Sequence, residues 1–172
     1  MSSDFVQPRI WRLLAIYLDP DQRSTTLFAL MLTGRQDEPL MADGRIAFFT
    51  DRLRATELIE TYGAHLKADR NGVDEPARRC DVAQALYYLS AGGHDETASV
   101  LNSVNPLLDL VRASGIELGE ERKRALYSIA DYTTTSKDIT RYLEEEGDYP
   151  SRQLVDAVLW CVGAIVMKSK LV

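Results

Sequence analysis

Two apolar runs near the start of the chain constrain its fold more than any other sequence feature. Residues 10–18 are apolar at eight of nine positions, and residues 25–33 form a second apolar run after a turn-rich connection of six residues. Runs of this length with apolar residues on both faces are typical of strands that are covered on both sides. The short connection favours an antiparallel pair, because parallel strands need a crossover of a dozen or more residues. We therefore expect two central strands with a layer of structure against each face.

A hairpin is predicted after these two strands. The Asp43-Gly44 pair lies between two short apolar segments, residues 40–41 and residues 46–49. An Asp-Gly pair suits a tight hairpin turn, which needs positive φ at its central residues. We therefore expect a small antiparallel meander of three to four strands in the N-terminal part of the chain.

A helix is predicted directly after the hairpin, because the apolar residues change to a spacing of i, i+3, i+4 and i+7. These residues are Ala55, Leu58, Ile59 and Tyr62. Thr50 or Asp51 can cap the start of this helix. Gly63 is expected to end it in the left-handed conformation that glycine adopts without strain. This helix should pack on one face of the sheet.

The rest of the chain has helical periodicity. Pro76 suits the first turn of a helix. Pro106 either kinks one helix or begins a new one with Asn105 as its cap, and the unbroken apolar stripe favours one kinked helix. Gly147 is expected to end the helix before the last one. The last helix is apolar nearly all round over residues 157–167, which indicates a central helix surrounded by others. We expect a C-terminal bundle of about five helices.

The order of these patterns indicates the fold class. Strands come first and helices follow without alternation, which predicts an α+β fold and not a doubly wound sheet. The 172 residues are the length of one ordinary domain. We expect a single α+β domain over residues 1–172, with a sheet and one helix in residues 9–63 and helices in residues 76–170.

Cysteine spacing and the apolar segments indicate a cytoplasmic protein. Cys80 and Cys161 stand alone in the sequence, which is typical of buried, reduced thiols in an intracellular chain. The first residues lack the basic and apolar regions of a signal peptide. The longest apolar stretch, residues 157–167, falls short of the ~20 residues that span a bilayer. We expect no membrane association.

The charge balance is acidic and argues against a nucleic-acid partner. Twenty Lys and Arg residues against 26 Asp and Glu residues give a formal net charge of −6. Nucleic acids and anionic membranes favour a basic face instead. The basic clusters at residues 78–79 and 122–124 are accompanied by acidic residues, which indicates solvated helix faces with local ion pairs.

Motifs for catalysis, metal binding and phosphate binding are missing from the sequence. The chain has two histidines, His65 and His94, and no glycine-rich loop between a strand and a helix. Four scattered Cys and His residues do not make a zinc site. We therefore predict no catalytic residue, no metal and no cofactor. If the protein is instead a small enzyme or ligand-binding domain, Asp51, His65 and His94 are the candidates for its pocket.

An acidic segment is the most concentrated chemical feature of the sequence. Residues 144–148 hold four carboxylates and are flanked by two tyrosines. Aromatic side chains supply much of the energy of protein interfaces, and charges steer the encounter. A second acidic pair lies at residues 37–38. The predicted partner-binding residues are Asp37, Glu38, Tyr142, Glu144, Glu145, Glu146, Asp148 and Tyr149.

Residues 44–63 carry a resemblance to a known group of proteins. Their sequence, Gly44-Arg45-Ile46-Ala47-Phe48-Phe49-Thr50-Asp51 followed by the helical residues up to Gly63, resembles the strand-to-helix unit of small bacterial toxin-immunity proteins. The resemblance implies a small, acidic, cytosolic protein that neutralises a toxin by binding it and has no catalytic residues. It assigns no functional residue.

Two functions follow as hypotheses. In the first, the chain is a non-catalytic, acidic, cytosolic protein that binds a protein partner with a basic surface, as a toxin-neutralising protein would. In the second, it is a small enzyme or ligand-binding domain with a pocket between the sheet and the helical bundle. A homodimer is compatible with either hypothesis. The thin inventory of catalytic residues favours the first.

Overall fold

The computed structural model describes residues 9–19, 21, 26–93 and 97–172. The strands in these residues are β1 (Ile10–Tyr17), β2 (Leu27–Thr33), β3 (Glu38–Pro39), β4 (Met41–Ala42), β5 (Arg45–Phe49), β6 (Pro76–Asp81) and β7 (Ser169–Leu171). The α-helices are α1 (Ala55–Leu58), α2 (Val82–Ala91), α3 (Thr97–Ser114), α4 (Glu120–Thr135), α5 (Ile139–Arg141) and α6 (Ser151–Met167). A 3-10 turn (Arg52–Arg54) precedes α1, and π-helical turns (Ile59–Gly63 and Tyr142–Glu146) follow α1 and α5.

The strands form one mixed sheet. β1 is central, with β2 antiparallel on one side and β6 parallel on the other. β5 pairs with β2 in antiparallel fashion and with β7 in parallel fashion. The short strands β3 and β4 pair with β2 and β5, respectively. The α+β prediction is confirmed, but the sheet is larger than the expected antiparallel meander because β6 and β7 join it in parallel.

Alternate residues of the central strands face opposite sides of the sheet. In β1, Leu14 and Ile16 pack into a large core with the helices from α2 onward. Trp11 and Leu13 point the other way, into a smaller core that includes residues of α1. All four side chains are buried. The prediction that the first strands are covered on both faces is confirmed.

The hairpin between β4 and β5 forms as predicted. Asp43 and Gly44 have φ of 51° and 75°, the left-handed conformation that a tight hairpin turn requires. Met41 pairs with Ile46 on the two sides of this turn. The two turn residues therefore adopt the conformation that the sequence predicts.

The helix predicted to start at Pro76 is wrong, because this segment is the edge strand β6. Proline has no N–H to donate and is tolerated as the first residue of an edge strand. The strand pairs with β1 in parallel, and its last residue, Asp81, then caps α2. The Oδ1 atom of Asp81 accepts a hydrogen bond of 3.0 Å from the Gln84 N–H. The helix therefore begins at Val82, and the segment predicted to be helical contributes two strands to the sheet.

The helical segment after β5 is correctly placed but differently ended. The Asp51 side chain accepts from the Leu53 N–H at 3.0 Å, so the predicted cap is confirmed. Gly63 does not have positive φ, so its predicted role as a left-handed helix end is wrong. A Cβ atom at Gly63 would lie 3.0 Å from Trp11 Cζ2 and 3.1 Å from Leu40 Cδ1. Glycine at this position lets the helical turn pack directly against the Trp11 ring.

The last helix is not surrounded by others. α6 packs against α2, α3 and α4, and its opposite face is open. Leu159, Val166 and Met167 are 52%, 63% and 73% exposed. The prediction of a central helix is therefore wrong, since apolar composition did not show which face had neighbours. The prediction of one helix through Pro106 is confirmed in α3. Within the described ranges, no helix combines the length and apolar character needed to cross a membrane.

Candidate protein-binding cleft

A cleft of about 760 Å³ opens beside the edge strand β6. It runs between α3, the loop that joins α3 to α4, and the first half of α4. Leu108, Val111, Ile116 and Leu118 supply apolar side chains to its lining, and Tyr127 adds an aromatic ring that is 48% exposed. The cleft thus joins an apolar floor to a solvent-accessible aromatic side chain, a combination common in protein-binding sites.

Each cation of the cleft has an anionic neighbour within the chain. Arg78 Nη1 donates to Asp37 Oδ2 at 2.6 Å, and Arg112 Nη2 lies 3.0 Å from Asp109 Oδ1. Arg112 also donates to the Asp37 carbonyl oxygen at 2.6 Å. Lys123 Nζ lies 4.0 Å from the Glu120 carboxylate. These pairs hold both guanidinium groups in place and balance their charge locally.

Asp109 is the most buried carboxylate in the lining of the cleft. Its burial raises the pKa of the carboxyl group, whereas the neighbouring Arg112 guanidinium opposes that rise. The carboxylate of Asp37 adds to the rise. Asp109 therefore pairs with Arg112, although burial removes part of the hydration of its own carboxylate.

The outer rim of the cleft carries one carboxylate, that of Glu117, without an ionic partner among the described residues. Glu117 and Glu120 line the cleft and are exposed. Glu117 forms no ion pair with any residue that the structure describes, and the same holds for the neighbouring Glu121. With the basic groups already paired, the rim presents carboxylates to solvent. Such a rim favours positively charged groups on a partner.

Of the predicted acidic pair, Asp37 adjoins the cleft but is not free to meet a partner. Its side chain is only 14% exposed and is held by Arg78. Asp37 thus holds the guanidinium groups of Arg78 and Arg112 in position. Glu38 lies in β3 and receives a hydrogen bond of 2.9 Å from Arg9 Nη2. Glu38 lines a separate, smaller cavity and not this cleft.

The predicted acidic segment lies elsewhere, beside the second half of α4. Tyr142 is buried, so it is not the exposed aromatic flank that was expected. Its hydroxyl shares a hydrogen bond of 2.8 Å with Ser128, and its ring meets Tyr132 edge-on with centroids 4.9 Å apart. Burial raises the pKa of Tyr142. Tyr142 is the anchor that fixes the acidic segment to α4.

Gly147 completes this anchor. Gly147 ends the helical segment as predicted, but its φ of −84° is not left-handed, so this helix end does not use the conformation that favours glycine. A Cβ atom at this position would lie 2.5 Å from the Tyr142 carbonyl oxygen, which leaves room for glycine alone. Close packing, and not backbone conformation, explains this glycine.

The four carboxylates of the acidic segment differ in the hydrogen bonds and ion pairs that they form. Glu146 accepts from the Tyr132 hydroxyl at 2.9 Å and pairs with Arg141 Nη2 at 2.5 Å. Glu145 lies 3.8 Å from Arg141 Nε. Glu144 and Asp148 are exposed and form no ion pair within the described part of the chain. Tyr149 is half-buried against the large core. The segment therefore offers Glu144, Glu145 and Asp148 to solvent from a fixed position.

The residues proposed for an enzymatic pocket do not meet. Asp51 caps the 3-10 turn, and exposed His65 borders the smaller cavity near Trp11. His94 lies outside the described residues, as do Asp95 and Glu96, where the sequence predicts the start of a helix. Neither Asp51 nor His65 lines the cleft beside β6.

Both cysteines are buried, as predicted. Burial raises the pKa of Cys80 to about 12 and that of Cys161 to about 12. Thiols in this state are poor nucleophiles at neutral pH, because the thiolate is the reactive form. In the described portion of the chain, no group of three or more His, Cys, Asp and Glu side chains could hold a metal ion.

Sequence reasoning missed the residues that build the cleft. Arg78 was predicted to lie on a solvated helix face, but its strand pairs with β1 and places it beside α3. Its partner Asp37 is 41 positions away in sequence, so no local pattern links the two. The Ile116 to Leu118 loop gave a weak signal, since two large apolar residues in a short connection between helices are expected to pack against something.

The chain was compared with protein-family models, with curated proteins and with solved structures. No family model matches it, and no curated protein or solved structure shows significant similarity. The fold and the geometry of the cleft are therefore the basis for its proposed function.

Proposed function

We propose that the chain is a non-catalytic protein that binds a protein partner with a basic surface. The cleft between β6, α3 and α4 takes an extended segment of that partner, one that carries lysine or arginine beside apolar side chains. The observation that carries this proposal is the cleft's apolar floor under a rim whose cations are already paired, which leaves the exposed Glu117 carboxylate without an ionic partner among the described residues.

The apolar residues and the acidic rim of the cleft contribute to binding in different ways, and both support this proposal. Burial of Leu108 and Tyr127 against a partner supplies the favourable energy, at about 25 cal/mol for each Å² of apolar surface removed from water. The acidic rim adds orientation and a faster encounter, and the formal net charge of −6 extends the same attraction to longer range. An acidic partner would meet repulsion from the rim.

Selection of peptides from a random library displayed on phage tests this proposal. We expect the enriched peptides to combine lysine or arginine with apolar or aromatic residues. Binding should weaken by at least about tenfold in a Glu117→Lys, Glu120→Lys double variant, because the rim changes sign. Tyr127→Ala should weaken it further by removing the exposed ring.

A matched control variant places the same charge change on the acidic segment. Glu144→Lys with Asp148→Lys alters the net charge equally, so any effect of overall charge is common to both variants. Unchanged binding in this control supports the cleft. Equal losses in both double variants, or enriched peptides without basic residues, would overturn the assignment to the cleft.

Neutralisation of a basic toxin or effector is the narrower form of this proposal. It is supported by the resemblance of residues 44–63 to toxin-immunity proteins and by the acidic rim. Co-expression tests it: a basic protein captured through the cleft should arrest growth when expressed alone and not when this chain is present. Loss of protection in the Glu117→Lys, Glu120→Lys variant is expected. A captured protein without toxicity would reject neutralisation while leaving protein binding in place.

A further inference from the structure

The outer edge of β6 is an open edge of the sheet, and it adjoins the cleft. β6 stands at one end of the strand order, and among the strands that the structure describes it pairs with β1 alone. Its first four residues, 76–79, are all exposed. Arg78, within this stretch, also lines the cleft. A segment that enters the cleft therefore passes beside the backbone of β6.

The backbone groups of Arg79 point to this open edge. Successive residues of a strand direct their N–H and C=O groups to opposite sides, so residues two apart share a direction. Two residues after Arg79, the Asp81 N–H donates to the Ser103 hydroxyl of α3 at 3.0 Å and not to β1. The N–H and C=O of Arg79 therefore also point away from β1.

The hydrogen bonds of β1 give the same direction independently. The Trp11 N–H donates to the Asp69 carbonyl oxygen at 2.8 Å, on the side of β1 opposite to β2. Ala15, four residues further along, turns its backbone groups to the same side and is the register partner of Arg79. In a parallel pair, one residue of each registered pair directs both its backbone groups at the other strand. Ala15 does so here, and Arg79 faces outward.

An extended peptide is the occupant that such an edge fits. Outward N–H and C=O groups on an edge strand are a template for pairing with another chain. Main-chain hydrogen bonds then hold the added strand, and its alternate side chains fill pockets beside the sheet. The open stretch is short, because Ser103 already occupies the Asp81 N–H. Side chains on the helical side of the sheet, where Leu108 lines the cleft, must therefore contribute to binding.

We propose that the partner's segment joins the sheet as an additional strand, with its main chain hydrogen-bonded to the N–H and C=O of Arg79. This inference rests on the proposed function, because it specifies how the cleft holds an extended segment. Every second side chain of the added strand faces the helical side of the sheet. The class of partner is thus a peptide with unsubstituted main-chain amides that alternates apolar and basic residues.

N-methylated peptides test the proposal on the full chain. The probe is an acetylated and amidated hexapeptide of alternating leucine and lysine, and its binding is measured by NMR titration. Methylation of the leucine nitrogens removes the donors on one edge of the extended peptide, and methylation of the lysine nitrogens removes those on the other. We expect one methylated peptide to bind at least about tenfold more weakly and the other to bind as the unmethylated peptide does. Equal affinities of the two would overturn the proposal.

A pair of variants locates the hydrogen bond on the protein. Arg79→Ala and Arg79→Pro both remove the side chain that lies over the Tyr17 ring and pairs with Asp81. Proline alone also removes the outward N–H, and an edge strand tolerates it at such a position. We expect Arg79→Ala to keep peptide binding and Arg79→Pro to weaken it at least about tenfold relative to Arg79→Ala. Equal binding by the two folded variants would reject the added strand.

Hydrogen exchange on the unaltered protein gives a measurement that needs no variant. Bound peptide should slow exchange of the Arg79 amide, and unchanged exchange would overturn the proposal. Protection of this amide without peptide, rising with protein concentration, would assign the edge to a second copy of the chain instead. A peptide that tolerates both methylation patterns but binds less well to the Glu117→Lys, Glu120→Lys variant rejects the added strand and leaves the cleft as the binding site. Failure of both the hexapeptide and the phage library to bind rejects the proposed function as well.

Discussion

The two faces of the sheet are covered very differently, yet both are closed to water. On one face five helices build the large core, and the half-buried Trp160 lies in α6. On the other face one short helical segment is enough to bury Trp11 to 1% exposure. This second face, which we call the thin side, is closed to water because Gly63 lets the chain pack directly on the indole ring. Tightness of a core thus depends on local fit and not on the amount of structure above it.

The two cavities differ from each other as the two faces of the sheet do. The cleft lies at the sheet edge on the helical side and is lined by charges that pair with one another. The smaller cavity near Trp11 is lined mainly by apolar side chains. Each lies where a covering element ends beside the sheet, at the α3–α4 loop and at the π-helical turn. The comparison predicts that changes on the thin side cost more stability, because few contacts can compensate there.

Replacement of the two tryptophans is the largest expected effect. Trp11→Ala should lower the free energy of unfolding by about 3–5 kcal/mol, as for other large-to-small changes in a core. Trp160→Ala should lower it by only about 1 kcal/mol, because its ring remains partly exposed to solvent. Urea unfolding of both variants measures the difference. Equal losses would show that the thin side is no more closely packed than the helical side.

Two glycine substitutions compare the same two faces of the sheet, with smaller expected changes in the free energy of unfolding. Gly63→Ala should destabilise by about 1–3 kcal/mol, because the new methyl group presses on Trp11 and Leu40. Gly163→Ala in α6 meets no atom within 4 Å and should stabilise by about 0.5–1 kcal/mol through helix propensity. Thermal and urea unfolding measure both signs. A stabilising Gly63→Ala would contradict the close packing described for the thin side.

Substitution of Asp109 should give the smallest change in the free energy of unfolding, and this change depends on pH. Burial raises its folded-state pKa above the unfolded value, so its stabilising contribution is full below the unfolded pKa and is lost as pH rises through the folded pKa. Asp109→Asn removes this titration. The variant should gain stability relative to the natural protein as pH rises from about 3 to about 7. Urea unfolding across this range measures the trend, and a relative loss with rising pH would reverse our assignment of burial as the dominant cause.

Elements set by local chemistry were predicted from the sequence. The apolar runs of β1 and β2, the Asp43-Gly44 turn and the Asp51 cap each depend on neighbouring residues, and each forms as expected. β6 was missed because its strand character depends on pairing with β1, more than 60 residues earlier in the chain. Pro76 followed by Ala77 and two arginines is equally typical of a helix start.

The partner-binding residues were harder to predict for a related reason. The acidic segment is visible in sequence, but the burial of Tyr142 depends on its contacts with Ser128 and Tyr132 of α4. Asp37 is a surface acid in the sequence and a support for two arginines in the structure. Whether a charged residue meets a partner or a neighbour depends on which distant residues the fold brings beside it.

The sequence by itself determined the α+β class, the doubly covered central strands, the hairpin turn and the buried thiols. These follow from periodicity, turn chemistry and apolar content, which act over a few residues. The tertiary structure alone decided that β6 and β7 join the sheet, that one face of α6 stays open, and where the two cavities lie. These depend on contacts between distant segments, whose free energy is gained only when the whole chain packs and is not written in any local pattern.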